Sequence, residues 1–188
     1  MQDIEPFYGW RDLYVSSEDP QSPFYEREYS EFEYTNSIYN YYLHPQWDFF
    51  GSETLYLKII YADYDRSFAI IEFIGEWNDA IGNDIMFFKR DILDGLIQEG
   101  IMHFVLIGEN VLNFHASDDC YYEEWFEDIG DGWIIGMNFR QHVVEEFTDV
   151  GIEFILFSKR FDQINWRNYQ PWVLFDLLKG QMQKRLNP

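Results

Sequence analysis

The order in which apolar runs and helical patterns succeed one another after residue 53 constrains this chain more than any other feature. Two strand-like runs come first. Thr54 to Ala62 is rich in β-formers, with Leu55, Leu57, Ile59 and Tyr61 on one face. A polar turn, Asp63-Tyr64-Asp65-Arg66, leads into Ser67 to Gly75. The stretch Phe68-Ala69-Ile70-Ile71-Glu72-Phe73-Ile74 is apolar enough to lie inside a sheet. So short a turn makes the two runs a hairpin. Helix and strand then alternate. Asn83 is placed to cap a helix in which Ile85, Phe88, Ile92 and Leu96 recur at helical spacing, and Gly100 stops it. Met102 to Ile107 is the third strand. Ser117 opens a second helix, with Tyr121, Trp125 and Phe126 as its inward residues. Trp133 to Met137 is the fourth strand, Arg140 to Phe147 a short helix, and Ile152 to Phe157 the fifth strand. Pro171 suits the first turn of a last helix, whose apolar face is Val173, Leu174, Leu177 and Leu178.

This β-β-α-β-α-β-α-β-α order predicts an α/β domain over residues 53–188. Its sheet is mixed but mostly parallel, with right-handed helical crossovers. Residues 1–52 read differently, as an acidic, aromatic-rich N-terminal extension. They hold ten acids against two bases, and Pro6, Pro20, Pro23 and Pro45 break any long element. Phe24 to Tyr34 alternates acidic and aromatic residues. Leaving so many rings in water is costly, which favours an arm packed on the domain, or on a second copy in a homodimer, over a mobile tail.

Two stretches carry a family resemblance. One is the second strand with its continuation, Ile70-Ile71-Glu72-Phe73-Ile74-Gly75-Glu76-Trp77-Asn78-Asp79. The other is Phe104-Val105-Leu106-Ile107 with the hinge Phe114-His115-Ala116-Ser117-Asp118-Asp119. Together with the element order over Thr54–Leu178, these resemble the STAS domain family, which includes the bacterial anti-sigma-factor antagonists. Members often have Gly-Glu-x-Asp after the second strand. Their hinge commonly reads Asp-Ser-Ser/Thr-Gly at a helix start. The resemblance implies a STAS-like fold and a regulatory role, with Ser117 at the position phosphorylated in the regulatory members. Asp118 and Asp119 stand where the family has glycine, and the connection Gly108 to Asn113 is longer than usual.

Charge narrows the partners. Thirty-four acids against thirteen bases give a net charge of −21. Such a chain repels phosphate backbones, so nucleic acid is not an expected partner, and a basic protein surface is. Lys179, Lys184 and Arg185 complement the negative end of the last helix. The single Cys120 excludes an internal disulfide and any Cys-based zinc cluster. The first residues lack a basic n-region and an apolar h-region, and no apolar run approaches the roughly 18 residues of a membrane helix. A cytoplasmic protein without membrane association is expected.

Chemistry is concentrated only at the hinge, Asn113 to Asp119, and in the start of the second helix as far as Glu124. Ser117 can accept a phosphate at a helix N-terminus, or serve as an ordinary N-cap before first-turn acids. His115, Asp118, Asp119, Glu123 and Glu124 have the ligand types for a divalent cation or acid–base work. They match no metal-loop spacing, so a solvated acidic face is the other reading. A helix N-terminus would activate Cys120 beside His115, and the neighbouring aspartates oppose it. No Gly-Lys-Ser/Thr follows the glycines of Gly75 to Gly82, so there is no P-loop. His44, His103 and His142 show no ligand spacing. No catalytic residue and no cofactor are expected. The expected function is a non-enzymatic regulatory or protein-interaction module binding its partner through Asn113 to Glu124. The alternative is a small-ligand binder or hydrolase-type enzyme with a pocket near His115 and Asp118.

Overall fold

A computed structural model describes residues 4–118 and 120–186. A five-stranded sheet runs in simple order, β3-β4-β5-β6-β7, where β3 is Leu55–Asp63, β4 Phe68–Asn78, β5 His103–His115, β6 Trp133–Met137 and β7 Ile155–Phe157. The β3–β4 hairpin is antiparallel, and every later pairing is parallel. The chain is therefore α/β with a mixed, mostly parallel sheet, as its element order predicts. A separate two-stranded hairpin, β1 (Ser37–Ile38) and β2 (Tyr41–Tyr42), belongs to the extension. The helices are α1 (Asp84–Phe87), α2 (Asp94–Gln98), α3 (Cys120–Asp128), α4 (Gln141–Asp149), α5 (Lys159–Asp162) and α6 (Pro171–Leu186). A π-helical stretch, Phe88–Leu93, joins α1 to α2 in one rod.

Each sheet face buries a different set of residues because alternate strand residues point to opposite sides. One face sends Leu57, Ile71, Phe73, Trp77 and Phe104 against Phe88, Ile92, Tyr122, Trp125 and Phe147 of the helices. The other face carries two smaller clusters. Phe68, Ile70, Val105 and Ile135 lie under Phe175 and Leu178 of α6 and Trp10 of the extension. Tyr56 and Ile74 lie under Ile38, Leu43 and Trp47.

The extension is a packed arm. Trp10, Phe24, Ile38, Leu43, Trp47 and Phe50 are buried. The Trp10 indole N–H donates to the Tyr169 carbonyl at 3.1 Å, and the Trp47 indole N–H to the Ile4 carbonyl at 2.8 Å. A bridge between Asp48 and Leu57 covers part of the outer edge of β3, an edge that would otherwise offer unpaired backbone groups.

Several local expectations are corrected. The third strand continues through the expected hinge to His115, because β5 stays paired with β4 across two register shifts. A bulge after Ile59 turns Tyr61 away from Leu55, Leu57 and Ile59, so it packs beside Trp10 instead. In α3, Tyr122 and Trp125 are the buried residues, while Phe126 is 41% exposed. In α6, Leu174, Phe175 and Leu178 are buried, while Val173 and Leu177 are exposed. Asn83 adopts a left-handed conformation with φ 53° and makes no side-chain cap bond.

Asp79 supplies what Asn83 does not. Its Oδ1 accepts the Ile85 N–H at 2.8 Å and the Trp77 indole N–H at 3.0 Å, and its Oδ2 accepts the Tyr122 hydroxyl at 2.7 Å. One buried carboxylate thus ties β4, α1 and α3 together. Burial pushes its pKa up to about 6, against these hydrogen bonds. Asp79→Ala strands three buried donors, and its unfolding free energy in urea should fall by about 4 kcal/mol. A loss below about 1 kcal/mol would show that the hub is not structural.

Candidate functional site

The hinge residues lie at the carboxyl end of β4 and β5. The backbone N–H groups of Asp79 and Ala80 both donate to the His115 carbonyl, at 2.9 and 3.1 Å, which fixes where β5 ends. Beside it, Glu76 of β4 bridges two elements. Its Oε1 accepts the Asn113 amide at 3.0 Å, and its Oε2 accepts the Tyr39 hydroxyl at 2.6 Å. The β1–β2 hairpin is thereby held against the hinge, with Tyr39, Tyr41 and Tyr42 exposed.

His115, Ser117 and Asp118 are all exposed. Asp119 lies outside the described residues. The helix starts at Cys120 rather than Ser117, and Asp118 accepts the Cys120 N–H at 3.3 Å. The Cys120 thiol and N–H hold the Asp118 carboxyl below its usual range. A carboxylate rather than the Ser117 hydroxyl thus accepts a backbone N–H where the helix begins.

The expected cluster of acids separates into paired and solvated members. Glu124 accepts a bidentate bond from the Arg90 guanidinium at 2.6 and 2.9 Å. Lys89, with its side chain fully buried, reaches Asp94, Glu124 at 3.3 Å and Asp128 at 2.8 Å. The π-helical turn carries this lysine inward. The carboxylates of Asp94, Glu124 and Asp128 are close enough to share a cation, and the Lys89 ammonium already lies among them. Glu123, Glu127, Asp131, Glu145, Glu146, Asp149 and Glu153 are exposed on and beside α3 and α4. Phe126 and Val150 are exposed among them, at 41% and 42%, and the Phe126 ring packs on Phe154. From Ser117 to Phe154 the chain has eleven acids and one arginine, Arg140. The outer surface of α3 and α4 is therefore strongly negative with apolar spots.

A second constellation is not apparent from sequence patterns. Lys58 of β3 and Glu72 of β4 are register partners across the hairpin and are both buried. They lie between the two smaller clusters on the second sheet face, and the arm runs over them. Glu72 accepts the Phe7 N–H at 2.8 Å, and the Arg167 guanidinium lies 3.9 Å away, itself paired with Glu109. Lys58 Nζ is 3.1 Å from Asp48 Oδ2 and 3.8 Å from the Tyr29 ring centre. Asp48, fully buried, also accepts Arg27 at 3.0 Å and the Tyr29 hydroxyl at 2.5 Å. The result is a row of alternating charges, Asp48, Lys58, Glu72, Arg167 and Glu109, crossing three strands under the arm. A lysine and a glutamate alone in facing apolar runs are the available signal. Counting outward from the turn at Asp63–Arg66 sets Lys58 opposite Ile71, and it is the wider turn and the bulge after Ile59 that bring it to Glu72.

Burial pushes the Glu72 carboxyl up to about 7, against the Phe7 N–H and Arg167, and it depresses the Lys58 ammonium against Asp48. For Glu72 the sign is that of a raised folded-state pKa. Its contribution is fully present below pH 4.5 and is lost as pH rises through about 7. Glu72→Gln keeps an acceptor for Phe7 without the charge. At pH 8 the variant should be more stable than wild type by up to about 3 kcal/mol, with the advantage vanishing near pH 4. Asp79, raised in the same direction, leaves a residual slope below pH 6 in both proteins. Urea titrations at several pH values check this, and parallel pH profiles would refute the assignment. Among the described residues no helix is long and apolar enough to cross a membrane. No protein-family model matches the chain, and neither does any curated protein.

Proposed function

We propose that this protein is a non-enzymatic interaction module, STAS-like in its α/β unit, that binds a basic protein partner. The binding surface runs from the hinge and second helix, Asn113 to Glu124, onto α4. The observation that carries this reading is the segment Ser117 to Phe154, with eleven acids against one arginine and exposed Phe126 and Val150 among them. Unpaired carboxylates attract and orient a cationic surface over a range set by salt. Exposed apolar groups at the centre supply the part of the affinity that salt does not screen. The exposure of His115, Ser117 and Asp118 supports contact with a surface over enclosure of a small ligand.

Ser117 lies at the rim of this surface, and a phosphate there would add negative charge beside Asp118. Regulation by phosphorylation then acts through the same contacts as binding. The test is capture of partners from native lysate by wild type, Ser117→Glu and the double variant Glu123→Gln/Glu127→Gln, with cross-links mapped by mass spectrometry. The expected result is a basic protein cross-linked to α3 and α4, released by salt, and bound ~10-fold more weakly by the double variant. Binding that ignores both salt and the double variant would exclude this surface.

A further inference from the structure

Helix α6 is apolar on both sides. Leu174, Phe175 and Leu178 are buried against the sheet, as a surface helix requires. Trp172, Val173 and Leu177 lie on the opposite side and are exposed, with Tyr169 exposed just ahead of the helix. At helical spacing Trp172, Val173, Asp176 and Leu177 form one outward row. Single exposed apolar residues are ordinary, but a contiguous row that includes a tryptophan has the composition of an interface.

The charge of this region is opposite to that of the rest of the chain. Residues 159–185 hold six bases and two acids, whereas residues 1–158 hold seven bases and 32 acids. Both acids of the basic segment are engaged, Asp176 by Arg66 and Asp162 by the Asn138 N–H at 2.6 Å. Lys159, Arg160 and Lys179 are exposed and make no ion pair among the described residues. Arg160 of α5 and Gln181 of α6 line one hollow, which sets the two helices side by side. The converse surface is that of α3 and α4, where exposed acids such as Glu127 and Glu146 accompany exposed Phe126 and Val150. Helix α6 covers one face of the sheet and α3 and α4 cover the other, so the two surfaces look away from each other.

We propose that this protein self-assembles head to tail, the outer face of α6 in one copy docking on the acidic α3–α4 surface of the next. The inference rests on the reading of that acidic surface as a binding face, and it names a second copy of the chain as an occupant. The apolar rows meet at the centre, and Lys159, Arg160 and Lys179 meet carboxylates around them. Docking α6 on α6 would set base on base, and docking the acidic faces on each other would set acid on acid. Salt at physiological strength screens the repulsion of remote charges beyond about 8 Å, so the pairs in contact decide the orientation. Because the two surfaces lie on opposite sides of the molecule, two copies cannot satisfy both contacts between them. Each pairing leaves one surface open at either end, and assembly continues into rings or open chains. A basic partner on α3 and α4 displaces the neighbouring copy, so self-assembly competes with partner binding.

Sedimentation velocity of the full chain over a wide concentration range is the test. Wild type should form species that lengthen with concentration and do not stop at a dimer. Leu177→Glu, which disables the α6 face, and Glu127→Lys/Glu146→Lys, which disables the acidic face, should each weaken self-association by ~10-fold. Mixed in equal amounts, the two variants should form a dimer and nothing larger, because each supplies the face that the other lacks. If Leu177→Glu fails to fold, Lys179→Glu on the flank of the same exposed row takes its place in both experiments. A wild type that stays monomeric overturns the proposal, and if it still captures a basic protein through α3 and α4, the reading of that surface as a binding face stands. Assembly lost in the α6 variant but intact in the acidic-face variant also overturns it, since the contact would then be a two-fold one through α6.

Discussion

Strand β4 is buried on both faces along most of its length, and the remainder of the molecule is arranged to keep water from it. Eight successive residues, Phe68 to Gly75, are buried. A strand of this kind needs cover on two sides, and helices alone cover only one side fully. On the second face α6 reaches one half, and the arm with its small hairpin supplies the other. At Gly75 the cover is close enough that a β-carbon would lie 2.1 Å from the Thr54 carbonyl oxygen and 2.6 Å from Ile38. With φ at 119°, that position suits glycine on both counts. Trp10, Phe24, Ile38, Leu43, Trp47 and Phe50, all ahead of the sheet, are thus part of the core.

The polar row under the arm arises from the same demand. Two apolar clusters on one sheet face leave a gap where their covers meet, and Lys58 and Glu72 fill it. Each charge there has an opposite charge or a hydrogen-bond donor beside it. That arrangement costs desolvation, and it favours one arm position over displaced ones, since a shifted arm would break the Phe7 bond to Glu72 and the pairing around Asp48.

The strand and helix order is legible in the sequence because each run is strongly periodic. The apolar blocks around Ile70, Leu106 and Ile135 are short, bounded by turns and separated by helical patterns. The illegible features are those set by non-local pairing. The extent of β5 depends on its bonds to β4, so residues Gly108 to Asn113 read as a connection when taken alone. Sequence proximity points to Asn83 as the cap of α1, while the carboxylate that serves it, Asp79, sits further back where its role requires Tyr122 and Trp77 to be in place. The arm has too many prolines and too few periodic runs for any pattern to reveal it, yet its rings give the right reason to expect packing. The hinge cluster is legible as composition only. Nothing in the spacing of Glu124 and Asp128 shows that a lysine more than thirty residues earlier neutralises them.

The arm also sets a problem of timing. Its contacts join Phe7 to Glu72 and Trp10 to Tyr169, separations of 65 and 159 residues. During synthesis the arm emerges before the sheet, and Tyr169, one of the groups it binds, emerges after every strand. Until Tyr169 has left the ribosome, Trp10 has no partner for its indole N–H, and the outer edge of β3 lacks its full cover. Closing contacts of such long range is slow compared with forming the helices and hairpins. The nascent chain therefore passes through a period in which a rich set of aromatic rings and an open strand edge face the solvent together, the state most exposed to misassociation. The large negative charge repels neighbouring copies throughout that interval, so the acidity seen on the finished surface also protects the chain before it is finished.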